Sequence, residues 1–270
     1  MTDNSTPVIL MSCMHQHDHT IIERSNVQTD IIVVNQCDEN KTEEFEFTDK
    51  SGRKRWCRFI STTERGLSRS RNMALRNAPD DRICILADDD ETFADNLDEI
   101  IIQAFDKHKT ADLIAFSLIR KDLKNGKQYP RDERPLKFRQ ILNTSSLQLA
   151  FRKSSIKRLN IAFDEKMGSG SGNGGGEENK FMLDLRRAGA CMRYVPQCIA
   201  TVNPGESQWF KGYTPAHVQN IGWSSRRSMG NITGFVYIVY WVLTHKRFYG
   251  DDISTTKALC NIMKGYFSRR

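Results

Sequence analysis

Four consecutive acids, Asp88-Asp89-Asp90-Glu91, close the apolar run Ile83-Cys84-Ile85-Leu86-Ala87. A short run with two isoleucines is the pattern of a strand buried on both faces, as in parallel sheets. The acids then stand at the strand's carboxyl end, the edge of an open α/β sheet where ligands bind, and their hard oxygens suit a divalent cation meeting a phosphate. Taken alone, the run also fits an acidic turn that faces water. A second acidic pair, Glu177-Glu178, follows the glycine-rich stretch from Gly168 to Gly176. It opens an amphipathic pattern carried by Phe181, Met182 and Leu185 and closed by Gly189. The helix dipole alone accounts for carboxylates in a first turn. A flexible glycine loop that delivers paired carboxylates also suits a closing lid with a general base. His15, His17 and His19 alternate in a loop without a fourth ligand, a poor zinc set that fits solvent or nucleotide contact better.

The elements that must hold these residues alternate between strand and helix. Pro7 to Ser12 reads as a strand, His15 to Arg24 as a loop entering a helix, and Asp30 to Asn35 as a second buried strand. Glu39 to Arg55 is charged and carries Ser51-Gly52, the turn of an edge pair, and Trp56 to Ile60 is the next strand. A helix from Gly66 to Ala78, with Ser68 as N-cap, stops at Pro79 before the acidic strand. Asp95 to His108 is helical and Ala111 to Leu118 another strand, so the order is that of a doubly wound sheet. Gly168 to Gly176 is too glycine-rich for a packed element, and no internal repeat is visible.

At 270 residues the chain suits one substantial α/β domain with an appendage, and we place the boundary between 205 and 206. A formal charge of +7 favours anionic partners. The seven cysteines are scattered without a CxxC pair and read as reduced thiols of a cytoplasmic protein. Met1 to Pro7 lacks the layout of a secretory signal. The apolar stretch Ile232 to Leu243 has 12 residues, too few to span a bilayer. Its aromatics, followed by His245-Lys246-Arg247, fit either a core helix or a surface dipping into an anionic membrane interface.

Five segments in order resemble bacterial family 2 glycosyltransferases of the GT-A fold. They are Val8 to Gln16, Asn35-Gln36-Cys37-Asp38, Gly66-Leu67-Ser68-Arg69-Ser70-Arg71-Asn72, Ala87-Asp88-Asp89-Asp90, and Phe163-Asp164-Glu165 running through to Gly176-Glu177-Glu178. The resemblance implies a Rossmann-like, mostly parallel sheet flanked by helices, with a helical C-terminal extension. It implies an inverting, metal-dependent transfer of a sugar from a nucleotide-diphosphate donor to an acceptor hydroxyl; the C-terminal aromatic run and its basic flanks point to a glycan or polyprenyl-diphosphate-linked acceptor at the cytoplasmic membrane face. Asp90, with Asp88, would hold Mg²⁺ or Mn²⁺; Asp88 and Asp89 would also serve the donor, Arg71 its diphosphate, Asn72 its nucleotide, and Gln36 and Asp38 the base edge. Glu178 would be the base, beside Glu177. The family's usual Glu-Asp here becomes Glu-Glu, which leaves the choice between the two open. Asn203 stands where many relatives have a histidine for the metal or pyrophosphate, and Trp209, Phe210, Trp223, Arg226 and Arg227 fall in the part that shapes acceptor sites in relatives.

Other readings fit less well. An EF-hand matches at Asp88, Asp90 and Glu99 but needs Gly where Phe93 stands. A nucleotidyltransferase needs a glycine-rich loop after the first strand, and Met11 to Gln16 has no Gly. A nucleic-acid-binding protein would not put acids on its binding edge.

Overall fold

The computed structural model describes residues 6–121, 123, 126–203 and 212–270. Two compact units divide the chain. One comprises Met1–Arg65, Arg69–Ala162 and Leu185–Gly205; the other comprises Gly66–Ser68, Phe163–Asp184 and Glu206–Arg270. Segments far apart in sequence therefore share a unit, and the 205/206 boundary, like Trp209 and Phe210, lies outside the described residues.

In the first unit β1 (Val8–Met14), α1 (Ile21–Arg24) and β2 (Asp30–Gln36) open a parallel arrangement. A hairpin of β3 (Lys41–Thr48) and β4 (Lys54–Thr62) follows, then α2 (Leu67–Asn77), β5 (Ile83–Asp88) and β6 (Glu91–Phe93). Next come α3 (Leu97–Lys107), β7 (Leu113–Arg120), β8 (Arg134–Pro135) and α4 (Phe138–Ile141). A 3₁₀ turn over Ser146–Gln148 leads into β9 (Leu149–Arg152) and α5 (Lys153–Leu159); α6 (Glu177–Arg187), which belongs to the second unit as far as Asp184, precedes β10 (Met192–Val202), which completes the first. Among the described residues the strands form one sheet in the order β3-β4-β2-β1-β5-β9-β7-β10-β6, with β8 paired to β10. β9 is antiparallel to both β5 and β7. This is the mixed, largely parallel sheet expected.

Burial follows position in the sheet. Every residue of β2 and all but the last of β1 is buried, because helices cover both faces of central strands. The edge strand β3 instead alternates exposed and half-buried residues, and its Lys and Glu side chains discourage pairing with a foreign strand. Ser68 does not cap α2, which already begins at Leu67; its hydroxyl donates to the Met167 carbonyl at 2.7 Å.

Asp49 fastens the β3–β4 turn. It accepts from the Ser51 and Arg53 backbone N–H groups, each at 2.9 Å, and from Arg55 Nε at 2.9 Å. Arg55 also reaches Asp98 at the start of α3, at 2.7 Å. Burial disfavours the Asp49 charge, but hydrogen bonds from Ser51 and Arg55 outweigh it and hold the carboxyl down at about 2. The folded value lies below the unfolded one, so the stabilisation is complete above the unfolded carboxylate range and fades as pH falls through 2. It amounts to roughly 2 kcal/mol. Asp49→Asn is therefore expected to lower the urea midpoint at pH 5 and flatten its decline toward pH 2; an unchanged acid slope would contradict this role.

The second unit holds α7 (Pro215–Met229), α8 (Asn231–Thr244), α9 (Lys246–Tyr249) and α10 (Thr255–Phe267). α7 and α10 approach backbone to backbone: a Cβ on Gly265 would lie 1.8 Å from the Gln219 carbonyl oxygen. Their core contains Val218, Ile238, Trp241 and Ile262.

Candidate active site

In the first unit four parallel strands end in register. Ser12 lies opposite Asp88, Met14 opposite Gln36, and Gln36 opposite Thr62, so the carboxyl edge brings the ends of β5, β1, β2 and β4 side by side. The loop after β1 is tied to this edge by the buried Asn35, whose side chain accepts from Gln16 N at 3.0 Å and donates to Gln16 O at 2.9 Å. Gln16 in turn places Nε2 3.5 Å from Asp89 Oδ2. Gln36 and Asn72 are buried. Asp38 is open to solvent and pairs with Arg65 at 2.6 Å.

The acidic turn joins β5 to β6. Asp88 is partly buried and its backbone N–H donates to Glu91 Oε2 at 3.1 Å, while Asp89 and Asp90 are exposed. Asn203 N donates to the Asp90 carbonyl at 3.0 Å, and the Asn203 side-chain amide donates to Thr92 Oγ1 at 2.9 Å. Loss of water and the Asp88 charge raise the Asp89 carboxyl above its ordinary range. The same causes, burial first, push the enclosed Glu91 well up. Arg71 is not held out toward solvent: it is 1% exposed, and Nη2 lies 3.2 Å from Asp88 Oδ1 and 2.9 Å from Ser146 Oγ.

The acids therefore crowd one another, and a cation would relieve that repulsion. Their oxygens fit Mg²⁺ or Mn²⁺. Among the described residues no three His, Cys, Asp or Glu side chains converge on a ready-made metal site. A cation bound here would complete its shell from the ligand and water, as Mg²⁺ commonly does beside phosphates. His19 stacks on Phe45 at 4.5 Å and lies 3.4 Å from Glu43, away from any such cluster.

In the second unit the segment before α6 is anchored at its base. Phe163 stacks on Phe181 at 4.3 Å, and Asp164 takes a two-pronged bond from Arg227, Nε at 2.5 Å and Nη2 at 2.8 Å. Arg227 also covers the Trp223 ring at 5.3 Å. Burial opposes the Asp164 charge, yet Arg227 more than offsets it and the carboxyl is held below its usual range. The glycine segment is a hydrogen-bonded loop: Gly168 N donates to Gly174 O at 2.8 Å, and Leu67 N to Ser169 O at 2.9 Å. A Cβ on Gly168 would lie 3.0 Å from Ser68 Oγ and 3.3 Å from Glu177 Cδ, and φ there is +93°. The loop ends at two unlike carboxylates, Glu177 enclosed at 5% exposure and Glu178 only partly covered.

Asn35, Gln16, Glu91 and Ser146 hold this edge together; Glu91 was visible as the last of the four acids, but the holding roles of all four do not show in the sequence. Asn35 had one signal, a polar residue at the end of a four-residue apolar run. Ser146 had none, because its partner Arg71 is 75 positions away.

The sheet order and the acidic turn at its carboxyl edge define a GT-A-type fold. Residues 18–165, more than half of the chain, match the sequence profile of glycosyl transferase family 2, and the chain belongs to that family. It is a glycosyltransferase. Solved structures agree on the fold. S. aureus TarS 1-349 in complex with UDP-GlcNAc aligns with a TM-score of 0.63 at 12% identity, over 96% of this chain and 81% of that one. The mannosyltransferase PcManGT from Pyrobaculum calidifontis, in complex with GDP-Man and Mn²⁺, aligns with a TM-score of 0.50 at 12% identity, over 96% and 74%. No curated protein sequence matches the chain significantly.

Proposed function

We propose that this chain transfers a hexosyl or N-acetylhexosaminyl group from a nucleotide-diphosphate sugar to a hydroxyl of a glycan or polyprenyl-diphosphate-linked acceptor, with inversion. The setting is synthesis of bacterial surface polysaccharide, on the cytoplasmic face of the cell membrane. The observation that carries the reading is the acidic turn at the carboxyl edge, fastened from both sides by Arg71 and Glu91. The nucleotide sugars named with TarS and PcManGT support the donor class.

Gln36 and Asp38 would meet the base edge, Asn72 the nucleotide, and Asp88 and Asp89 the ribose and diphosphate side. Arg71, expected at the diphosphate, is better placed to hold Asp88 in position, since its guanidinium is enclosed against that carboxylate. Asp90, with Asp88, would hold a divalent cation, which when bound neutralises charge on the departing nucleoside diphosphate. The acceptor oxygen attacks the anomeric carbon as the bond to the diphosphate oxygen breaks, and Glu178 takes the hydroxyl proton. Glu178 is preferred to Glu177 because its carboxyl is the less enclosed of the two. Asn203 would act through the backbone of the turn, its side-chain N–H₂ being directed to Thr92.

Thermal unfolding with a panel of UDP- and GDP-sugars, with Mg²⁺ or Mn²⁺ present, tests this. A cognate donor at a hundred times its Kd should add roughly 2.7 kcal/mol. Failure of every nucleotide sugar, or pyrophosphate release from a nucleoside triphosphate, would overturn it.

A further inference from the structure

α8 contains no charged residue, and only one of its faces packs inward. Gly234, Ile238, Trp241 and Val242 are buried, and a Cβ on Gly234 would come within 2.8 Å of the Ser225 carbonyl oxygen of α7. Trp241 is therefore a core residue rather than a surface aromatic. On the other side Ile232, Phe235, Val236, Val239, Tyr240 and Leu243 recur at helical spacing with 83%, 40%, 62%, 37%, 50% and 73% exposure. No monomer gains from holding such a continuous apolar stripe in water, and stripes of this kind mark interaction surfaces.

Both ends of the stripe continue into further exposed aromatics. At one end Phe235 meets Tyr266, which meets Phe267, itself 60% exposed and followed by Arg269 and Arg270. At the other, Tyr240 leads through His245 to Phe248, 51% exposed, with the Arg247 guanidinium 4.7 Å from its ring. Residues 212–270 carry eight Lys and Arg against two Asp.

We propose that this face of α8 docks in the plane of an anionic lipid surface. The apolar stripe would enter the boundary between headgroups and acyl chains, with Lys246 and Arg247 meeting phosphates at its end. Among the described residues no helix is long and apolar enough to cross a membrane. A 14-residue helix lying flat measures roughly 21 Å, so the whole stripe can engage at one depth. The charge excess selects lipid over a second copy of the chain, because a two-fold contact through this stripe would bring two cationic borders together. This deepens the membrane-face part of the proposed function and rests on it.

The test is co-sedimentation of the full chain with vesicles of phosphatidylglycerol and phosphatidylcholine, without donor, acceptor or turnover. Its failure is thus separate from failure of the glycosyltransfer reading. The wild type should bind anionic vesicles and bind pure phosphatidylcholine weakly. Ile232→Ser, Val236→Ser and Leu243→Ser combined should weaken binding at least tenfold with the unfolding midpoint unchanged, since all three side chains are exposed. Lys246→Ala with Arg247→Ala should lose roughly tenfold on anionic vesicles only. Equal sedimentation of the triple variant, or a stripe-dependent dimer in place of vesicle binding, would overturn the proposal.

Discussion

Asp90→Ala should abolish metal-dependent donor binding and lower kcat/KM by roughly a thousandfold, the scale of the several kcal/mol that a cation supplies to a developing phosphate charge. The side chain is exposed and stands in a turn held by backbone bonds from Asn203 and by the Asp88–Glu91 contact. The unfolding midpoint without ligand should therefore shift by less than the equivalent of about 0.5 kcal/mol. The discriminating measurement is the rise in midpoint that the cognate sugar nucleotide gives with and without Mn²⁺. In the wild type the rise should depend on Mn²⁺, and in the variant it should vanish under both conditions. A variant that keeps the full Mn²⁺-dependent rise removes Asp90 from the cation's ligands and passes that role to Asp88 or Asp89.

Glu178→Gln should behave in the opposite way: donor binding intact, transfer slowed by roughly 10²–10⁴, the span of a lost general base. Glutamine keeps the size and the hydrogen-bonding reach and removes only proton affinity. The neighbouring Glu177→Gln is expected to act mainly on stability, because its carboxyl is enclosed beneath the glycine loop, with Gly168 close by. Isothermal titration with donor separates the two effects from turnover. If Glu177→Gln binds donor and is dead while Glu178→Gln remains active, the base lies one residue earlier. The change of Asp to Glu at the second position is then accommodated by a shift of the base one residue along the helix rather than by the longer side chain at 178.

How much of this was legible beforehand depended on whether a segment's partners were local. β1, β2 and β5 declare themselves as uninterrupted apolar runs because both their faces are covered, and the β3–β4 hairpin is given by Ser51-Gly52 and the alternation around it. β9 does not declare itself: four residues slotted antiparallel between β5 and β7 owe their extended form to their neighbours. β10 is hidden differently, since Pro196 and a register shift between Tyr194 and Cys198 break its pattern. In α8 both faces are apolar, so periodicity could not say which would be buried, and Tyr240 and Trp241, neighbours in sequence, end at 50% and 6% exposure. At the site the acids and glycines were visible as types. The clasp of Asn35 on Gln16 and the seat of Arg71 on Ser146 were not, because each joins residues that only the sheet brings together.

The acidic turn has one further property. β5 lies at the centre of the sheet and β6 at its rim, and the chain passes between them through Asp89 and Asp90 alone. A two-residue span with both ends in ladder hydrogen bonds has almost no conformational freedom left to lose. The turn was ordered when the sheet formed, so a donor bound there as proposed would meet a preorganised charge rather than a floppy loop. Differences in affinity among donors should then report on the shape and charge of the donor itself, with no variable cost for arranging the carboxylates.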